Sequence, residues 1–178
     1  MEKRPDSLAE RLKAANRAAA AELVDSYYQQ IFLFFRRLGH NRQVSEDLTQ
    51  ESFLQAWQHI GQLRSNELLN SWLYRIAGNI SKQYWRGHKN MDALSIEQTD
   101  IDVPDSSEPG SDNMELVDQL RRVKNAIAKL PIKLRQPLVL HYMQHLNVGE
   151  AAEAAGVREG TFKSRLNRAL KALRKKLS

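Results

Sequence analysis

The sequence contains no cysteine, which excludes disulfides, thiolate catalysis and cysteine-ligated zinc. No stretch approaches the roughly 20 consecutive apolar residues needed to cross a bilayer. The start, MEKRPDSLAERLKAANR, is charged throughout and has no apolar signal core. A cytoplasmic location without membrane insertion is therefore expected. Convincing apolar–polar alternation, the mark of a half-buried strand, is also missing, and almost every periodic segment has helical spacing. There is no phosphate-cradling glycine loop, no HExxH pattern and no nucleophile motif, so no catalytic activity, cofactor or small-molecule substrate is expected. HYMQH sets His141 and His145 four residues apart, a spacing that would suit a metal on one helix face, but no third ligand lies near and no metal site is expected.

Charge of one sign is missing locally. From Met91 to Asp118 there are nine acidic residues (Asp92, Glu97, Asp100, Asp102, Asp105, Glu108, Asp112, Glu115 and Asp118) and no basic one. Leu68 to Asn90 has the opposite bias, with Arg75, Lys82, Arg86 and Lys89 and no acid. Arg158 to Ser178 carries eight basic residues against Glu159 alone. The overall net charge of +6 thus hides two basic segments separated by an acidic one, the pattern of two polyanion-binding surfaces joined by a tether.

With 178 residues and 42% hydrophobic content, the chain can build one packed core or two small ones. A first helical block runs from residue 22 to about 91. Its opening helix, LVDSYYQQIFLFFRRLG, is apolar nearly all round and stops at Gly39. Ser45 is placed to cap the next helix, which ends near Gly61, and Ser71 to cap a third, WLYRIAGNISKQYWR. In the third, Trp72, Leu73, Ile76, Ala77, Ile80 and Tyr84 recur at helical spacing. Residues 92–113 are acidic and rich in proline and serine, with too little apolar surface to pack, and read as a linker. A second block spans 114–178; within it Pro137 must occupy a first helical turn to be tolerated. Residues 1–21 read as a lead, either a short helix or unstructured, with no role assigned.

The most specific pattern is NVGEAAEAAGVREGTFKSRLNRALKALRKKL. Asn147 and Glu150 fit a capping box, and Gly156 suits a left-handed turn between two helices. Phe162, Leu166, Leu170, Leu173 and Leu177 form one stripe of the following helix. This is a helix-turn-helix pattern. At 100° per residue, Ser164, Asn167, Arg168 and Lys171 point away from that stripe, with Thr161 close by and Lys163 and Arg165 on the flanks. Such a face mixes phosphate-neutralising cations with groups able to read base edges in a major groove.

The third helix of the first block has a comparable face. Arg75, Asn79, Lys82, Gln83 and Arg86 lie opposite its apolar stripe, with Tyr74 and Trp85 nearby. Cations follow a backbone, amides bond unpaired bases and aromatics stack on them, as a single strand requires. A base pocket is expected from the loop Leu63 to Asn70 together with Asn79. Trp72 and Tyr84 read as core. SEDLTQESFLQAW has two faces as well. Leu48, Ala56 and Trp57 serve the core, whereas Asp47, Gln50, Glu51 and Leu54 share a second face at i, i+3, i+4 and i+7, and Phe53 fits either.

LPIKLRQPLVLHYMQHLNVGEAAEAAGVREGTFKSRLNRALKALRKKL resembles the promoter-reading domain four of bacterial sigma factors. SEDLTQESFLQAW followed by NSWLYRIAGNISKQYWR resembles their domain two. Both in this order, with an acidic linker between, are similar to the extracytoplasmic-function group of the sigma-70 family. The resemblance implies an all-α fold of two small helical domains joined by a flexible acidic linker. It also implies binding to core RNA polymerase, through the β′ clamp helices and the β flap, and an anti-sigma partner. Asp47, Gln50, Glu51, Phe53 and Leu54 would contact polymerase. Tyr74, Arg75, Asn79, Lys82, Gln83 and Arg86 would bind the −10 element as it becomes single-stranded. Arg158, Thr161, Lys163, Ser164, Arg165, Asn167 and Arg168 would bind the −35 duplex.

Two positions depart from the family pattern. Arg158 stands where many members have serine or threonine, and arginine cannot accept the capping N–H. EAAEAAGV has alanines where bulkier aliphatics are common, so its packing is either looser or closer. A conventional helix-turn-helix regulator acting without polymerase is the competing reading; it leaves SEDLTQESFLQAW unexplained.

Overall fold

The computed structural model describes residues 7–88 and 114–178; the segment read as a linker lies outside them. Regular structure among the described residues is helical throughout. The chain forms an amino-terminal unit (α1 Leu8–Lys13, α2 Arg17–Leu38, α3 Arg42–Gln58, α4 Leu69–Gly87) and a carboxy-terminal unit. The latter comprises α5 Met114–Ala128, α6 Ile132–Leu138, a π-helical turn Val139–Met143, α7 Val148–Ala155 and α8 Glu159–Leu177. This is the expected all-α, two-unit architecture.

Part of the amino-terminal lead is integral to the first unit. Ser7 and Glu10 form a reciprocal capping box that starts α1, which buries Ala9 and Leu12. The Ala9 N–H donates to Asn66 Oδ1 at 3.1 Å, tying α1 to the loop before α4. The next helix, α2, starts at Asn16, whose side chain accepts from Ala18 and Ala19 N–H. It stops at Gly39, where φ is 100°, the left-handed conformation expected from the sequence.

Two expected caps are corrected. Asn41, not Ser45, caps α3: its extended backbone lets Oδ1 accept from Val44 N–H at 2.8 Å. Ser45 lies one turn inside, buried, and donates to the His40 carbonyl at 3.3 Å. Ser71 caps nothing either. The chain enters α4 through a 3-10 turn, Asn66–Leu68, so helical backbone is already established at Leu68, and Ser71 is buried inside the helix.

Phe34 and Phe35 of α2, Leu63, and Leu73, Tyr74 and Ile80 of α4 fill the first core, with Phe34 and Tyr74 edge to face at 5.2 Å. In the second unit, Phe162, Leu166 and Ala169 are buried, Leu170 and Leu173 half-buried, and Leu177 is 47% exposed. The stripe therefore loosens towards the chain end. Burying Phe162 completely is worth about 1.5–3 kcal/mol.

Pro137 is also corrected. It is not in the first turn but near the end of α6, which starts after Pro131. Its ring removes the N–H that would bond the carbonyl of residue 133. The backbone then widens, and the Gln144 N–H reaches the Val139 carbonyl at 2.9 Å. The capping box of Asn147 with Glu150 closes at 2.9 Å in both directions, and Gly156 adopts φ 66°. Ala151, Ala152, Ala154 and Ala155 are all buried, so the alanines of EAAEAA serve close packing. They let α7 lie against both α8 and α4, which brings the two units together.

Candidate functional site

Helix α3 has the two faces expected. Ala56 is fully buried, and Leu48 and Trp57 pack half-buried on the core. Thr49 and Ser52 are buried too, their hydroxyls donating back to the Ser45 and Leu48 carbonyls at 2.6 and 2.7 Å. On the other face Asp47, Gln50, Glu51 and Leu54 are exposed, Leu54 by 52%. Gln43 and Gln55 steady the two acids through hydrogen bonds of 3.2 and 2.8 Å. Phe53 is corrected: it is buried and stacks on Tyr28, centroids 6.4 Å apart, so it supports this face from beneath and does not belong to it.

On α4, Arg75, Asn79, Gln83 and Arg86 are exposed, and Lys82 is half-buried. Tyr74 departs from expectation. It is 2% exposed, and its hydroxyl donates to Gln144 Oε1 of the carboxy-terminal unit at 2.8 Å. It shares its side of the helix with Leu73, Ala77 and Ser81, all buried; burial raises its phenol pKa. Trp72 packs half-buried on the core, as the sequence suggests. Tyr84 and Trp85 also have structural work, lying around the buried His40 with centroids at 5.0 and 4.6 Å. In the preceding loop, Leu63 and Leu69 are buried and Asn66 is committed to Ala9, while Asn79 stands exposed.

His40 carries no periodic signal, and sequence reasoning passes over it. Its Nε2 pairs with Ser81 Oγ at 2.8 Å, linking the end of α2 to α4. Burial, and then the nearby positive charge of Arg135, lower its pKa from 6.5 to about 3. Arg135 donates to the Leu38 carbonyl at 2.5 Å, to the Leu130 carbonyl at 2.8 Å and to the Ala128 carbonyl. A cation at the carboxy-terminal end of α2 also suits the helix dipole. Burial pushes its pKa down to about 10, so it remains charged at neutral pH.

The α8 face is open. Arg158, Thr161, Lys163, Ser164, Asn167, Arg168 and Lys171 are exposed, and Arg165 is half-buried. Arg158 makes no side-chain cap, as its chemistry requires, and Lys163 pairs with Glu159 at 3.7 Å. Cations of α4 and α8 converge where the units meet. Burial and then the charges of Arg165, Arg86 and Arg75 depress the Lys82 pKa, and Arg75 is bonded to Glu153 of α7 at 3.3 Å. The candidate site thus comprises two basic helices bearing amides and hydroxyls and an acidic, leucine-bearing face on α3.

His141 and His145 have other roles. His141 Nδ1 donates to the Leu146 carbonyl at 2.8 Å, and His145 takes the left-handed turn at φ 57°. Among the described residues, no group of three histidines and carboxylates is placed to hold a metal, and no helix is long and apolar enough to cross a membrane.

The described residues are helical throughout and combine a helix-turn-helix with a second basic helix. The family profile described as Sigma-70 region 2 matches residues 23–91, and that described as Sigma-70, region 4 matches residues 120–173. The ECF RNA polymerase sigma factor SigW of Bacillus subtilis is 33% identical over 93% of this chain and 92% of its own. The RNA polymerase sigma-H factor of Pseudomonas aeruginosa is 30% identical over 96% of this chain and 92% of its own. Among solved structures, CnrH in complex with the cytosolic domain of CnrY superposes with a TM-score of 0.68 at 21% identity, covering 94% of this chain and 93% of that one. The sigma factor RpoE, in complex with the anti-sigma factor NepR from Bartonella quintana, gives 0.61 at 20% identity over 88% and 95%. The chain belongs to the extracytoplasmic-function sigma factors of the sigma-70 family, which direct transcription initiation.

Proposed function

We propose that this chain recruits core RNA polymerase through the exposed α3 face and places it on promoters by reading two elements with two helices. Asp47, Gln50, Glu51 and Leu54 dock on the β′ clamp helices, and the carboxy-terminal unit, residues 114–178, docks on the β flap. Ser164, Asn167 and Arg168 of α8 enter the −35 major groove, while Arg158, Thr161, Lys163 and Arg165 hold the flanking phosphates. Arg75, Asn79, Lys82, Gln83 and Arg86 of α4 hold the −10 strand as it is freed. The segment 92–113 joins the two units, and an anti-sigma protein restrains the factor.

The supporting observation is that two basic faces on separate units, one on α8 and one partly covered on α4, accompany an exposed Leu54 amid acids on a third helix. A duplex-binding regulator needs only one of these. Run-off transcription with core polymerase, followed by start-site mapping, tests the reading. Promoter-specific starts are expected. No start from any genomic promoter, with tight operator binding by the chain alone, would instead make it a polymerase-independent regulator.

A further inference from the structure

Helix α1 takes no part in the reading given above, and its six residues are too few to stay helical alone. It is nevertheless firmly placed. Ala9 and Leu12 are 2% and 1% exposed, and Arg11 pairs with Glu22 of α2 at 2.6 Å. The turn into α2 contains a left-handed alanine, Ala15 at φ 57°, a conformation that persists because its surroundings enforce it. This fold-back lays α1 against two 3-10 turns, Ile60–Gln62 and Asn66–Leu68, in the loop that leads into α4.

That loop has little of its own to hold it. Leu63 and Leu69 are buried at its ends, whereas Arg64, Asn66, Glu67 and Leu68 between them are exposed. Its backbone bonds are local: Leu63 N–H donates to the Ile60 carbonyl at 3.1 Å and Leu68 N–H to the Ser65 carbonyl at 3.3 Å. A bond from outside comes from α1, where the Ala9 N–H donates to Asn66 Oδ1 at 3.1 Å across 57 positions of sequence. The Ala9 N–H is one of the first-turn donors that a helix cannot satisfy itself, so each element completes the other. The loop runs straight into α4, less than two turns ahead of Arg75. Where its middle sits therefore decides which polar groups stand at the head of the strand-holding face.

We propose that α1 is a positioning element for −10 capture, with Asn66 as its positioning residue: by accepting the Ala9 N–H, Asn66 fixes the loop Leu63 to Leu69 in the arrangement that receives the freed strand. The inference rests on the promoter reading given above and gives residues 7–14 a role in it. A loop ordered in advance loses less freedom when the strand arrives, so the same contacts hold the strand more tightly. Asn66 acts here through the loop and not by touching a base.

The test uses the full chain assembled with core polymerase and a labelled single strand bearing the −10 sequence found by start-site mapping. Asn66→Ala should weaken binding of that strand by about fivefold, the effect of one lost hydrogen bond. Leu12→Ala removes the buried anchor of α1 and should cause a similar loss. The double variant should lose no more than the larger single, because both substitutions release the same contact. Affinity for core polymerase and for a −35 duplex should stay unchanged in Asn66→Ala, an exposed position, which separates positioning from general loss of stability. Unchanged strand binding in Asn66→Ala, or an equal fall in core binding, overturns the proposal. Losses that multiply in the double variant also overturn it, since Asn66 would then touch the strand directly. A parent chain that starts no transcript and binds no −10 strand overturns the promoter reading, and the positioning role with it. Slow hydrogen exchange at the Ala9 amide, made fast by Asn66→Ala, would in that case still record the contact itself.

Discussion

Helices α4 and α8 carry the same kinds of side chain, cations interleaved with amides, yet they stand in different surroundings. The basic face of α8 is open from Arg158 to Lys171 except at the half-buried Arg165. That of α4 is crossed by α7, with Arg75 held by Glu153, Lys82 half-buried and Tyr74 withdrawn into the core. Composition therefore does not decide availability; the partner of each helix's apolar stripe does. Behind α8 the stripe packs on its own unit. Behind α4 the core closes one side, and the four buried alanines of α7 let a second helix settle on another.

The comparison breaks most sharply at a third surface that both helices depend on. Reversing charge with Asp47→Arg and Glu51→Arg together should weaken core polymerase binding by two or more orders of magnitude, on the order of 3 kcal/mol. The helical signal and melting temperature should stay unchanged, because both side chains are exposed. Fluorescence anisotropy with labelled core measures the first and circular dichroism the second. Retained binding would remove α3 from the polymerase interface and leave its mixed face unexplained.

Arg168→Ala should cost about 1–3 kcal/mol, roughly fivefold to 150-fold, in −35-dependent transcription, with core binding intact. The open surroundings of Arg168 make this a clean loss. An equal loss of core binding would mean a misfolded unit or a misplaced site.

Acid distinguishes the buried side of α4 from anything on α8. His40 has its pKa lowered from 6.5 to about 3, so the unfolded chain takes up a proton before the folded chain does. The stability contributed is complete above pH 6.5 and is lost as pH falls from 6.5 towards 3. Between pH 7 and pH 5 the loss should be about 2 kcal/mol, at 1.36 kcal/mol per unit. Denaturant titrations at the two values measure it. A His40→Gln chain, in which the ionisable ring is gone, should lose most of that dependence.

The smallest expected effect sits at the start of α8. Arg158→Ser supplies the missing cap and should stabilise the carboxy-terminal unit by about 1 kcal/mol, seen as a rise of a few degrees in melting temperature. Because it also removes a cation from the open face, −35 duplex binding should become less salt-dependent. A fall in melting temperature would show that the α8 amino terminus is already satisfied.

Much of the chemistry was legible in the sequence. Asn147, Glu150 and Gly156 announce the helix-turn-helix because capping and left-handed turns depend on the residues in place. The exposed positions of α8 follow from one stripe at 3.6-residue spacing. Caps that depend on where the chain enters a helix were less legible: Ser45 and Ser71 are good capping residues, but Asn41 and a 3-10 turn reached those helices first. Phe53 and Tyr74 were misplaced for a related reason. Each lies on the margin between two faces, and the aromatic or amide across from it, Tyr28 or Gln144, draws it inward.

By itself the sequence determined the helical class, the pairing of two units and the residue types available for binding polyanions and a protein. These follow from periodicity, capping chemistry and charge, which act over a few residues. Only the tertiary structure decided that His40 is a buried neutral ring, that Gly78 meets Gln136, and that the basic face of α4 is shared with α7. Those properties depend on which side chains meet across separations of about 40 to 80 residues, and no local pattern encodes the position of the other partner.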